Sequence, residues 1–121
     1  MKFKINGLRE PGNLEKERAV IEILEDGNVG TLIVASTKQQ DEGSVSSGIK
    51  NSYWIPDQDV QKGDLIIIYT KAGKKNNRVN PSNSTSYFFY IGLETPLYNE
   101  NDETVVVFDI SYWKSLRRSE V

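Results

Sequence analysis

Leu65-Ile66-Ile67-Ile68-Tyr69 is an unbroken apolar run, entered through Lys62-Gly63-Asp64 and preceded by Tyr53-Trp54-Ile55-Pro56. β-Branched side chains in a row lose rotamer freedom in a helix but sit well on a pleated surface. A strand without polar alternation suits a position covered on both faces, so residues 65–70 are expected to be a central strand in a packed core.

The chain of 121 residues is long enough for one such core. A single domain of this size buries roughly two thirds of its unfolded surface and needs no covalent staple. It contains no cysteine, which fits a reducing compartment. The opening MKFKINGLREPGNLEKER has no apolar segment of the signal-peptide kind. Nowhere do about eighteen apolar residues run together. The expectation is a soluble, cytoplasmic chain, one domain over residues 1–121, with no membrane partner. The sequon Asn83-Ser84-Thr85 stays unmodified in that setting.

Histidine is absent as well. Without His or Cys the chain cannot build a Ser-His-Asp or Cys-His nucleophile, a His-ligated catalytic zinc or a Cys/His structural zinc site. Carboxylate pairs, lysine or tyrosine acid-base chemistry and oxygen-ligated calcium or magnesium remain. The expectation is a non-enzymatic protein without a cofactor.

Along the chain, Lys2 to Asn6 alternates as a short edge strand would, and Gly7 to Gly12 breaks it. Residues 14–26 allow two readings. Asn13 can cap a helix with Glu15 and Glu17 in its first turn. Val20, Ile21 and Ile23 favour a strand over 17–24. A strand over 31–37 leads into a polar loop, 38–48; residues 52–55 form a short strand; residues 71–85 read as a long exposed loop. Apolar strands resume at 87–93 and 104–109, and the tail from Tyr112 forms a helical turn or frays. The predicted core comprises Ile21, Ile23, Leu32, Val34, Ile66, Ile68, Phe89, Ile91, Val105 and Val107. About seven short strands separated by Gly, Pro and Asn turns make an all-β sandwich or small barrel.

ERAVIEIL, then NVGTLIVAST, then YWIPDQDVQKGDLIIIYTKAG, a polar loop, an aromatic strand and TVVVFD together resemble a lamin-tail domain over about residues 15–110. The segment carrying most of the likeness is Tyr53 to Thr70, an aromatic-proline entry and a Lys-Gly-Asp turn into an apolar strand. The resemblance implies an immunoglobulin-like β-sandwich that works as an interaction module. It brings no catalytic residues.

Lys71, Lys74, Lys75 and Arg78 form a basic loop with no acid before Leu93. Such a loop either holds a phosphate or nucleotide or is simply solvated. Gly73-Lys74-Lys75 lacks the upstream glycine and following Ser or Thr of a P-loop. Tyr87 to Tyr90 follow directly, able to stack a base or fill the core. Trp54 is a candidate ligand platform; for Trp54 and Trp113 alike the plainer reading is an anchor at the core or its edge. Asp57, Asp59 and Asp64, and the turn Asn99-Asn101-Asp102-Glu103, are oxygen-rich without EF-hand spacing, and the plainer role for Asp57 and Asp64 is to hold their own turns.

A net charge of −2, with Glu94, Glu100, Asp102, Glu103 and Asp109 in one stretch, disfavours duplex DNA. The basic loop opposite that acidic stretch suits a protein partner or self-association. The function expected is a binding module acting through a protein or self interface. The alternative is a small-ligand binder that captures a nucleotide or other phosphate-bearing molecule through residues 71–86. A carboxylate- or metal-dependent enzyme is the third reading.

Overall fold

A computed structural model describes residues 1–40 and 45–120. Ten strand segments lie among them: β1 (Phe3–Arg9), β2 (Arg18–Ile23), β3 (Gly27–Asn28), β4 (Leu32–Gln39), β5 (Val45–Trp54), β6 (Asp59–Val60), β7 (Leu65–Tyr69), β8 (Asn76–Val79), β9 (Thr85–Tyr90) and β10 (Glu103–Asp109). A five-stranded sheet in the order β1-β2-β7-β9-β8 packs on a three-stranded sheet, β10-β4-β5, and β3 pairs with β6. β7 and β9 are parallel; every other pair is antiparallel. The molecule is an all-β sandwich, consistent with an immunoglobulin-like fold. No helix among the described residues is long and apolar enough to cross a membrane.

The inner faces follow from the period of two along each strand. Ala19, Ile21 and Ile23 of β2, Ile66 and Ile68 of β7 and Phe89 of β9 point inward and meet Leu32 and Val34 of β4. Val29, Ile55 and Val60 extend the core, and Ile91, Val105 and Val107 pack against it. All ten predicted core positions lie in or against this cluster.

Residues 14–26 resolve into a turn followed by a strand. Asn13 caps that turn: its side chain accepts from the Glu15 N–H at 3.1 Å, and its carbonyl accepts from Lys16 and Glu17. The turn does not propagate because Arg18 to Glu22 are paired with β1 on one side and β7 on the other. The expected break at Gly7 is instead an irregularity inside β1, between Ile5 and Gly7. The expected loop over 71–85 contains β8, exposed throughout and paired with β9. The expected short strand at 52–55 is the end of β5. Of the expected loop 38–48, positions 41–44 lie outside the described residues, while β4 runs to Gln39 and β5 begins at Val45.

Glu17 ends the turn as a fully buried carboxylate. It accepts hydrogen bonds from the backbone N–H groups of Gly12 at 2.8 Å, Leu97 at 2.8 Å and Tyr98 at 3.1 Å, and from the Thr70 hydroxyl. A buried charge is tolerable when donors surround it. The bonds from Leu97 and Tyr98 tie the segment before β10 to Glu17, at the start of β2, and the bond from Thr70 ties Glu17 to the end of β7. Tyr98, held there, donates its hydroxyl at 3.5 Å to the Ala35 carbonyl of β4. Burial, and then the charges of Glu17 and Glu103, push the Tyr98 phenol well above the usual tyrosine range.

Candidate ligand-binding face

The outer half of β7 departs from the sequence expectation. Ile66 and Ile68 are buried, but Leu65, Ile67 and Tyr69 are only half-buried. The run is therefore covered on one face and open on the other. Register places its neighbours. Tyr69 lies beside Arg18 of β2 and Tyr90 of β9; Ile67 lies beside Val20 and Phe88; Leu65 lies beside Glu22 and Ser86. Apart from Ser86, which is buried, these side chains are half-buried. The result is an aromatic and aliphatic patch on the outside of the five-stranded sheet.

Its rings form one group. Tyr69 and Tyr90 stack with centroids 5.4 Å apart and planes 11° from parallel; Phe88 lies 6.4 Å from Tyr69 at 32°. Both separations fall within the range of favourable aromatic contact. Asn76 Nδ2 donates to the Tyr90 hydroxyl at 3.0 Å. A Cβ on Gly73 would stand 2.3 Å from the Tyr90 ring. Only glycine lets the strand-connecting backbone lie so close to that ring.

Cations surround the rings. Lys71 Nζ is 5.1 Å and the Arg18 guanidinium 5.8 Å from the Tyr69 centroid; Arg78 is 5.6 Å from Phe88. These are cation–π distances. Two cations also meet acids, Lys71 with Glu15 at 3.8 Å and Arg18 with Glu10 at 3.5 Å. Together with Lys16 and Tyr69 they line a shallow depression of about 500 Å³ where β2 begins and β7 ends. Exposed pairs of this kind contribute little, typically about 0–1 kcal/mol, and an incoming anion can displace the carboxylates.

The six ligand residues expected from sequence are not one cluster. Lys71 and Arg78 join the outer face. Lys75 lies 5.4 Å from the ring of inward-facing Phe89, so it caps the other side of β9. Lys74 is exposed between β7 and β8. Tyr87 packs against the core. Trp54 belongs to the edge strand of the other sheet. Sequence reasoning named the rings of Tyr87 to Tyr90 together as able to stack a base, without separating Phe88 and Tyr90 on the outer face from the others, and missed Arg18 and Tyr69. The signal was present in β7, whose run of five apolar side chains exceeds the two, Ile66 and Ile68, that one buried face uses.

The tryptophans are not core residues. Trp54 is 42% and Trp113 58% exposed, and they contact each other. The oxygen-rich turns have internal uses. Asp64 accepts from Gln61 N–H at 2.8 Å and Thr85 N–H at 2.9 Å, and Asp59 from Asn28 Nδ2 at 3.1 Å. Glu103 accepts from Lys50 at 2.6 Å and from the Asn99 N–H at 3.1 Å. Among the described residues no three metal-ligating side chains converge. Comparison with protein-family models, curated proteins and solved structures returns no significant match.

Proposed function

We propose that this chain is a non-enzymatic binding module that takes a nucleotide unit, free or within a single strand, on the outer face of its five-stranded sheet. The observation that carries this reading is the uncovered group Tyr69, Phe88 and Tyr90 with Arg18, Lys71 and Arg78 ranged over the rings. A base stacks on any aromatic face whatever its sequence, and a cation beside the ring meets the phosphate attached to that base. Duplex DNA fits less well. Its bases are closed to stacking, and Glu10, Glu15 and Glu22 interrupt the positive field a duplex backbone needs. The lamin-tail resemblance agrees in kind, since it too implies an interaction module on a sandwich.

Fluorescence anisotropy with labelled single-stranded oligonucleotides, competed by mononucleotides, tests the reading. Stacking contributes about 1–3 kcal/mol per base, so Tyr69→Ala with Tyr90→Ala is expected to weaken binding at least about tenfold. Affinity that rises with oligomer length assigns the ligand to a strand; equal affinity for a mononucleotide assigns it to the free molecule. Equal binding by parent and double variant overturns the site.

A protein or self interface keeps support from a different element. β5 is a ten-residue edge strand with Val45 and Ile49 exposed. An open edge of that length accepts a further strand.

A further inference from the structure

We propose that the cleft between Trp54 and Trp113 is a second binding site, independent of the sheet face, and that it takes an alkylated ammonium group. In register Trp54 lies beside Ile33, and Ile33 beside Phe108, so the three side chains form one apolar row on the outside of the three-stranded sheet. Trp54 and Phe108 are both exposed. The chain leaves β10 after Asp109, and Trp113 comes to rest on Trp54 with centroids 4.8 Å apart and planes at 84°. Two indoles at nearly a right angle form a corner with both rings open to solvent.

The corner is held in place from beneath. Trp54 Nε1 donates to the Gly30 carbonyl at 2.7 Å, which fixes the ring's rotation. Gly30 lies in a short 3₁₀ turn whose preceding residue, Asn28, accepts from the N–H groups of Gly30 at 2.8 Å and Gln58 at 3.2 Å. Ile55, Pro56 and Thr31 complete a cleft of about 700 Å³. That volume admits a ligand headgroup.

Its electrostatics select the ligand's sign. Asp57 carries the only formal charge among the lining residues. An oxygen of its carboxylate lies 2.1 Å from where a Cβ on Gly30 would stand, so the bare glycine lets the carboxylate lie close beside the backbone that anchors Trp54. Asn28 and Asp59 are engaged with each other. Asp57 meets no donor or cation among the described residues. Indole faces and a carboxylate present negative potential to the same space, and a weakly hydrated organic cation satisfies both while filling an apolar corner. An anion is repelled, and a neutral apolar molecule leaves the carboxylate unused.

The only tryptophans in the chain are the two in this cleft, so intrinsic tryptophan fluorescence reports on this site alone. Choline and a short peptide carrying trimethyl-lysine serve as the probes, with 3,3-dimethylbutan-1-ol as choline's uncharged isostere. Saturable fluorescence changes are expected with both cations, choline at a dissociation constant on the order of 1 mM. The alcohol should bind roughly tenfold more weakly, and Asp57→Asn should weaken choline by a similar factor. Trp113→Ala, a change in the exposed tail that leaves the core intact, should abolish saturation seen through Trp54. Tighter binding of the peptide assigns the cation to a protein side chain; equal or tighter binding of choline assigns it to a small molecule. Equal affinity for the alcohol, indifference to Asp57→Asn, or no saturable change with either cation overturns the proposal.

Discussion

The two sheets of this sandwich turn different outer faces to solvent. On the five-stranded sheet, Tyr69 and Tyr90 stack face to face with Phe88 tilted beside Tyr69, among Arg18, Lys71 and Arg78; Glu10 and Glu15 pair with Arg18 and Lys71, and Glu22 with Lys4. On the three-stranded sheet, Trp54 and Trp113 stand nearly at right angles beside Asp57. The rings are similar in chemistry; what surrounds them differs in sign and shape. A stacked group of rings bordered by cations suits a planar anion, whereas a two-walled corner with a carboxylate suits a compact cation. Exposed aromatics on one fold therefore do not imply one ligand, and the residues that border the rings carry the information. Variants on one face should leave binding at the other unchanged, since they share no side chain.

Both faces rest on the same core, which provides the largest expected effect. Ile68 points inward and is fully packed, while its chain neighbour Ile67 points to the open face. Ile68→Ala should cost about 2–5 kcal/mol in urea unfolding and weaken both faces together. Ile67→Ala should cost less than about 1.5 kcal/mol, because its side chain is only partly buried and its truncation leaves no enclosed cavity. Equal costs for the two would mean that the outer face is covered in solution. Next comes Glu17, which accepts four hydrogen bonds in a fully buried setting. Glu17→Gln replaces one acceptor oxygen with a donor that faces other donors, and about 3 kcal/mol of stability should be lost. The change should be felt first in the segment around Leu97, where hydrogen exchange would reveal early opening.

The inward half of the molecule was legible in the sequence because burial leaves a period. Ile21, Ile23, Ile66, Ile68, Val105 and Val107 recur every second residue, and each faces the core or packs against it. The outward half was not, because Phe88 facing solvent and Phe89 facing the core are the same letter. β8 escaped notice for a related reason: Asn76 to Val79 pair with β9 but are all exposed, so no buried residue gives the segment a period. For Glu17 the sequence offers a helical first turn or the start of a strand over 17–24, and neither places it as a buried acceptor. Its donors come from positions 12, 70, 97 and 98, and no local pattern foretells that convergence. The tail residue Trp113 likewise finds its partner almost sixty residues away in sequence. Chemistry carried by one strand could be read; chemistry assembled by folding could not.

The smallest effect expected separates the core from both faces by pH. Tyr98 is buried between the sheets, its phenol pushed upward first by burial and then by the nearby charges of Glu17 and Glu103. In the unfolded chain the same phenol titrates near the ordinary tyrosine value of about 10. Above that pH the unfolded state releases a proton that the folded state retains. The stability Tyr98 contributes is thus fully present below about pH 10 and declines as pH rises toward the folded value, by at most about 1.4 kcal/mol per pH unit. Tyr53, also raised by burial, adds to the same alkaline slope. Tyr98→Phe removes one of these two contributions and gives up only a long hydrogen bond to Ala35. Urea unfolding at pH 9, 10 and 11 should therefore show a shallower alkaline decline in the variant, with nearly parental stability at neutral pH. Ligand binding at both faces should be unchanged at neutral pH, because Tyr98 belongs to neither. An alkaline slope identical in the two proteins would show that the hydroxyl reaches water, and that the segment tied down by Glu17 is open in solution.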